Sequence, residues 1–342
     1  MNKKYYITTP IYYVNDKPHI GHAYTSIATD CIARFKRLEG FDVRFQTGTD
    51  EHGLKIQKAA EKNGVSPIEL CNKNSQIFRD LTKKLNLSNN DFIRTTENRH
   101  VDGAKYLWNR LYEKGQIYLG EYEGWYSVND ETFYNEKDLV KSEDGTFKTT
   151  TNGSVEWISE KSYFFKLSMW SEKLLELYKN NKGFINPMSK RNEVIKFVES
   201  GLNDLSVSRT SFKWGIQTPT DNKHIMYVWL DALTCYANGV NYLNNEENNI
   251  NDYWSNVIHI VGKDILRHHA IYWPAFLMAA DLDLPKKIYA HGWWTNEGQK
   301  ISKSLGNVID PIDIINNFGL DQFRYFVLRE VPFGNDGDFS KK

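Results

Sequence analysis

Apolar positions along the chain switch repeatedly between strand-like runs and helical spacing. The β-rich run YYITT covers Tyr5 to Thr9, and after a loop Tyr24, Ile27, Ala28, Cys31, Ile32, Phe35 and Leu38 recur at helical spacing until Gly40 closes the pattern. FDVRFQTG predicts a second strand and Leu54 opens a further helical stretch. In SPIEL, Ser66, Pro67 and Glu69 match the N-cap, first turn and third position of a capping box. DFIRTT predicts a third strand, followed by a helix through Tyr106, Leu107, Arg110 and Leu111.

Near Lys114 the texture changes. The Tyr- and Trp-rich alternation of QIYLGEYEGWYSVNDETFY and the turn cluster SEDGTFKTTTNGS predict antiparallel hairpins up to about Trp157. Helical spacing returns over Met169 to Tyr178 and Glu193 to Val198, and SFKWGIQTP breaks the chain. From there IMYVW (strand), LDALTCYANGVNYL (helix), NVIHIVG (strand), DILRHHAIYWPAFLMAA (helix) and KIYAHGW (strand) restore the alternation. Alternating strands and helices define an α/β parallel sheet. The partition is a first half over 1–113, an insertion over 114–226, a second half over 227–295 and a short unit over 296–342.

The 342 residues suffice for two or three packed units. With 43 Lys+Arg against 43 Asp+Glu the formal net charge is +0, so any contact with RNA requires a local basic patch. Three scattered cysteines, Cys31, Cys71 and Cys235, argue for a reducing compartment and against both a disulfide framework and a thiolate zinc knuckle. No signal-peptide core or membrane-spanning run is present, so a cytoplasmic protein is expected, with an organelle matrix as the weaker option.

Candidate chemistry starts in KPHIGHAYTS, where His19 and His22 flank Gly21 just before the first helix. Three readings compete: histidines placed by chance, a metal site using positions three apart, and a phosphate clamp. The clamp draws on position, because a strand-to-helix turn at the carboxyl edge of an α/β sheet favours anions, imidazoles can donate to phosphate oxygens, and Gly21 permits close approach. The second stretch, QKISKSLGN, packs Lys300, Ser302, Lys303 and Ser304 into a glycine-flanked loop; alone it reads as a solvated basic turn.

Together, HIGH and KISKS resemble the paired signatures of class I aminoacyl-tRNA synthetases. TTPIYYVNDKPHIGH, TGTDEHG, YVWLDAL, VGKDILRHHAIYWPAFL and HGWWTNEGQKISKSLGN resemble the methionyl-tRNA synthetase family, in the family's order, from about Tyr5 to Gly337. The resemblance implies a Rossmann-like parallel sheet split by a mixed α+β connective insertion, with the start of a stem-contact unit at 296–342. It implies activation of methionine by ATP to methionyl-adenylate and pyrophosphate, followed by transfer to the 3′ end of tRNA(Met), initiator and elongator. His19, Gly21, His22, Gly262, Asp264, Lys300, Ser302 and Lys303 would bind ATP, with His19, His22, Lys300 and Lys303 stabilising the developing charge. Ile11, Tyr13, Asp50, Trp229, Ala232, Leu233, Tyr236, Ile265 and His269 would hold methionine, Asp50 pairing with its ammonium. Arg209 resembles an arginine near the family's active site. Mg²⁺ is expected with ATP, held by substrate oxygens.

Many family members carry zinc knuckles in the insertion, but Lys114 to Met226 contains no cysteine, so a zinc-free form is expected. The family continues into a helical anticodon-binding domain; a chain ending at GNDGDFSKK would adenylate methionine yet charge tRNA poorly. A monomer is expected. The competing readings are another class I adenylate-forming enzyme, such as a cysteinyl synthetase or a small nucleotidylyltransferase, and a synthetase-like RNA-binding scaffold.

Overall fold

The computed structural model describes residues 3–127, 132–134, 136–142, 145–150, 153–243, 251–301 and 306–340. Six strands form the central sheet: β1 (Lys4–Tyr13), β2 (Asp42–Asp50), β3 (Asp91–Arg94), β6 (Ile185–Asn186), β7 (Val257–Gly262) and β8 (Lys287–His291), in the spatial order β3-β2-β1-β7-β8-β6. All five pairings are parallel. The strand order reverses between β1 and β7, which opens a crevice at the carboxyl ends of the strands.

The first half alternates as the periodicity predicts. Helix α1 (Ile20–Leu38) follows β1, α2 (Leu54–Asn63) and α3 (Pro67–Lys84) follow β2, and α4 (Asn98–Glu113) follows β3. At α3, Ser66 accepts from the Glu69 amide and the Glu69 carboxylate returns to the Ser66 amide, completing the capping box that SPIEL encodes. Strand β1 outruns its expected end at Thr9. It continues through Pro10 to Tyr13 with a register shift between Thr8 and Ile11, and that shift accommodates a residue without an N–H.

The antiparallel hairpin expected after Lys114 is present. Strands β4 (Ile117–Ser127) and β5 (Val155–Phe165) pair from Ile117↔Phe165 to Ser127↔Val155. Helices α5 (Ser171–Asn180) and α6 (Met188–Glu199) follow, and between them Ile185–Asn186 joins the edge of the parallel sheet beside β8. The 114–226 segment therefore contributes to the main sheet, through a pairing too short to leave a periodic signal.

Two elements depart from expectation. IMYVW is not a sheet strand: only Ile225–Met226 is extended, paired with Ser208–Arg209, and Tyr227 caps helix α7 (Val228–Asn238), which ends before the NYL of the predicted helix. Residues 230–238 are all buried, so the helix lacks the polar stripe that distinguishes it from a buried strand. Its last carbonyls are satisfied from the sheet: Tyr6 Oη donates to Tyr236 O at 2.8 Å and Gln46 Nε2 to Cys235 O at 3.1 Å. The second departure is DILRHHAIYWPAFLMAA. It divides into a 3₁₀ turn at Lys263–Ile265, a π turn at His268–Tyr272 and helix α8 (Trp273–Ala279). Pro274 has no N–H for the carbonyl of Ala270, and the Tyr178 hydroxyl takes that place at 2.6 Å.

Helices α9 (Pro311–Phe318) and α10 (Leu320–Arg329) bury Ile314, Phe323 and Val327 against Ile20, Ala23, Tyr24 and Ile27 of α1. A polar lock joins the same surfaces. Asp30, fully buried, accepts from Arg324 at 2.6 Å, Arg34 at 2.8 Å and both the amide and hydroxyl of Ser88 at 2.7 Å. Among the described residues no helix is long and apolar enough to cross a membrane.

Gly48 sits tight against the neighbouring strand, where a Cβ would stand 2.0 Å from the carbonyl oxygen of Ile93. Neither strand can yield without losing its pairing. Gly48→Ala should lower unfolding free energy by about 1–3 kcal/mol, read as a reduced urea midpoint at unchanged slope; an unaltered midpoint would refute this packing.

Candidate active site

The carboxyl ends of four strands meet at one cleft of about 610 Å³. Tyr13 ends β1, Asp50 ends β2, Gly262 ends β7 and His291 ends β8, and all four line it. Of the residues singled out in the sequence, His19, Gly21, His22, Gly262 and Asp264 lie on its walls with Ile11, Tyr13, Asp50, Trp229, Ala232, Leu233, Tyr236, Ile265 and His269. Ser302 and Lys303 lie outside the described residues. Lys300 is placed by its backbone, paired with Thr295, while Ile301 beside it lines the cleft. Arg209 is not among the lining residues. It is buried behind the start of α7, donating to Ser206 Oγ and Ser208 O at 2.7 Å and lying 4.7 Å from the Tyr227 ring centroid.

The two imidazoles form a reciprocal cap on α1. His19 Nδ1 accepts from the Gly21 amide at 3.1 Å, and His22 Nδ1 accepts from the His19 amide at 3.0 Å, with ring centroids 3.9 Å apart. Ile20 N–H reaches Ile309 O at 3.0 Å, and the amides of His22 and Ala23 reach His19 O. The backbone donors of this helix start are thus engaged within the fold, unlike the open amide nest expected from a phosphate-binding turn. An Nδ1 that accepts leaves the proton of a neutral ring on Nε2, so the imidazoles present N–H donors instead. Gly21 is required by the same arrangement, because a Cβ there would stand 2.9 Å from His19 Cε1.

TDEH divides its work at the end of β2 and just beyond it. Asp50 faces the cleft and Glu51 faces away, where Arg94 grips it with two bonds of 2.7 and 2.9 Å and Thr96 donates at 2.6 Å. His52 Nδ1 donates to Asp231 Oδ2 at 2.7 Å, and His100 Nε2, from the first turn of α4, donates to Asp231 Oδ1 at 2.6 Å. Burial alone would raise the Asp231 pKa; the charge of His52 and the bonds from both imidazoles hold it down at about 2.

At the apolar end Tyr236 and His269 form a polar pair. His269 Nδ1 lies 2.9 Å from Ile265 O, a pure acceptor, so Nδ1 carries the proton and Nε2 accepts from Tyr236 Oη at 2.6 Å. Burial pushes His269 down to about 4, and burial raises the Tyr236 hydroxyl well above its usual value, so both are neutral near pH 7. Trp229 stacks on His268 with centroids 3.7 Å apart.

HGWW, to which no local pattern assigns a role, contributes His291, Gly292, Trp293 and Trp294 to the lining. Trp293 Nε1 donates to Asp264 Oδ1 at 3.1 Å, and a Cβ on Gly292 would stand 2.1 Å from Asn335 O. Position after the last sheet strand was the available signal. Asn15, Thr25 and Lys55 also line the cleft. Among the described residues no group of three or more His, Cys, Asp or Glu side chains is arranged to hold a metal ion.

A doubly wound sheet with its cleft at the switch point, its first helix capped by imidazoles, defines an open α/β protein of the class that binds ligands at that crevice. The family model described as tRNA synthetases class I (M) matches residues 5–146 and 145–342, and the chain belongs to that family. It is 60% identical over 341 residues to "Methionine--tRNA ligase" of Rickettsia conorii, covering 100% of this chain and 66% of the relative. It is 54% identical over 338 residues to that of Mesorhizobium japonicum, covering 99% and 65%. The chain thus spans about two thirds of the length of these curated relatives. Mycobacterium tuberculosis methionyl-tRNA synthetase in complex with methionyl-adenylate superposes with a TM-score of 0.96 at 52% identity, over 99% of this chain and 67% of that one. The free state of the same enzyme gives a TM-score of 0.86 at 48% identity, over 100% and 64%.

A carboxylate held at about 2 instead of 3.8 contributes stability that is present above pH 3.8 and lost as pH falls through about 2. The contribution is on the order of 2 kcal/mol. Asp231→Asn should therefore be less stable than wild type at pH 7, with the gap narrowing between pH 4 and pH 2 in denaturant titrations. A gap independent of pH would contradict the charged network.

Proposed function

We propose that this chain is the catalytic body of a methionyl-tRNA synthetase, activating methionine with ATP and passing the methionyl group to the 3′ end of tRNA(Met), initiator and elongator. The observation that carries the reading is one cleft holding an apolar pocket, a carboxylate at Asp50 and two imidazole donors at a helix start. The match to curated methionine–tRNA ligases along the whole chain supports it.

In the first step a carboxylate oxygen of methionine bonds to the α-phosphorus of ATP while the α–β bridging P–O bond breaks and pyrophosphate leaves. No protein nucleophile takes part, so the chain contributes positioning and charge stabilisation. His19 and His22 donate through Nε2–H to phosphate oxygens, and Lys300 with Lys303 neutralises the leaving pyrophosphate. Mg²⁺, if it accompanies ATP, would be held by the substrate and not by a protein cage, and would supply further charge neutralisation. Gly262 and Asp264 hold the ribose, Asp264 oriented by the Trp293 indole at 3.1 Å. Asp50 pairs with the methionine ammonium, and its thioether lies among Ile11, Tyr13, Trp229, Ala232, Leu233 and Ile265, against the Tyr236–His269 pair. Arg209 supports α7 from outside the cleft. The halves 1–113 and 227–295 form the catalytic unit, with 114–226 as connective insertion and 296–342 carrying the KISKS loop and the start of a stem-contact unit. The enzyme works as a cytoplasmic monomer without structural zinc.

Amino-acid-dependent ATP–pyrophosphate exchange tests this directly. Methionine should support exchange while cysteine, isoleucine and leucine do not, and Lys303→Ala should reduce it by about 10²–10³-fold. Homocysteine should be activated to a small extent, since one methylene in an apolar pocket is worth only about 1–3 kcal/mol. Exchange with cysteine, isoleucine or leucine, or none with methionine, would overturn the proposal; a stoichiometric zinc signal after dialysis would overturn its zinc-free part.

A further inference from the structure

Asp231 lies on the helix that carries Trp229, Ala232, Leu233 and Tyr236 into the cleft, yet it points away from it. It is fully buried, and each of its carboxylate oxygens is claimed by an imidazole from a different element: His52, two residues beyond Asp50 at the end of β2, and His100, in the first turn of α4. The attachments continue outward. His52 O accepts from Tyr13 Oη at 3.0 Å, so the same residue ties in the end of β1. Asn238, at the far end of α7, donates to His100 O at 3.1 Å, and a Cβ on Gly103 would stand 1.9 Å from Asn238 Oδ1, so the Asn238 side chain seats directly on the α4 backbone.

One carboxylate therefore joins the strand end bearing Asp50 to the helix bearing the apolar wall. The bonds from Tyr6 and Gln46 hold α7 at its C-terminal end, and apolar packing by itself leaves its first turns some freedom to rotate. Two short bonds to different elements remove that freedom. We propose that Asp231, with His52 and His100, is a positioning residue that sets the distance between Asp50 and the side-chain pocket on α7, and so governs affinity for the amino acid and not for ATP. This inference rests on the methionine-activation reading for what the pocket holds, and on geometry alone for the coupling.

The test compares Asp231→Asn with wild type in pyrophosphate exchange, normalised by active-site titration, and follows backbone hydrogen exchange in both. The expected result is a rise of about tenfold or more in KM for methionine with KM for ATP unchanged, together with faster exchange confined to residues 228–233. In the chain that keeps Asp231, His52→Asn and His100→Gln keep a donor where Nδ1 and Nε2 stood and should retain near-normal KM for methionine, whereas His52→Leu and His100→Leu should raise it. Unchanged KM for methionine at full titre would overturn the inference, as would an equal rise for both substrates accompanied by faster exchange throughout the sheet. Should wild type itself fail with methionine, the functional reading falls, and the exchange pattern over 228–233 still decides whether Asp231 positions α7.

Discussion

Every pairing in the central sheet runs the same way, and that polarity decides where chemistry is possible. Parallel strands deliver all their carboxyl ends to one edge, and the reversal of order between β1 and β7 parts the loops there. Tyr13, Asp50, Gly262 and His291 are far apart in the chain and become neighbours only because each is the last residue of its strand. The antiparallel β4–β5 hairpin and helices α5 and α6 are inserted without disturbing this edge. Through Ile185–Asn186 the insertion even extends the sheet.

The cleft is held in shape by polar groups behind it. Glu51 is drawn away from the cleft by Arg94 and Thr96, which leaves Asp50 directed inward, and Asp231 does the same for α7 through two histidines. Buried charges of this kind are tolerated because every oxygen has a donor; removing a partner would strand a charge at several kcal/mol. The histidine cap on α1 follows the same logic with neutral groups. The two rings satisfy backbone N–H groups with Nδ1, and by doing so fix the tautomer that turns Nε2 into a donor. Structural capping and the choice of tautomer are one arrangement.

Much of the architecture was legible in the sequence. Helical spacing from Tyr24 to Leu38, the capping box at Ser66 and the aromatic alternation after Lys114 are local signals, and the structure bears each of them out. The misread segments share a different cause. IMYVW and the stretch around Pro274 are apolar on every side, so periodicity has nothing to report, and Ile185–Asn186 is too short to be periodic at all. Arg209, named from the family resemblance, is buried beside Tyr227 and does not line the cleft.

What the sequence by itself determined was the set of chemical groups and their local frames: the imidazole pair at a helix start, the carboxylates of TDEH and GKD at strand ends, and an apolar helix near WLDAL. These depend on backbone propensity and alternation, which act over a few residues. Only the tertiary structure decided which oxygen or nitrogen of each group faces the cleft. His52 and His100 meet across 48 residues of chain on a carboxylate of a third element, and Trp293 finds Asp264 from another strand end. Such choices depend on how strand order brings distant residues together, and no local pattern records them.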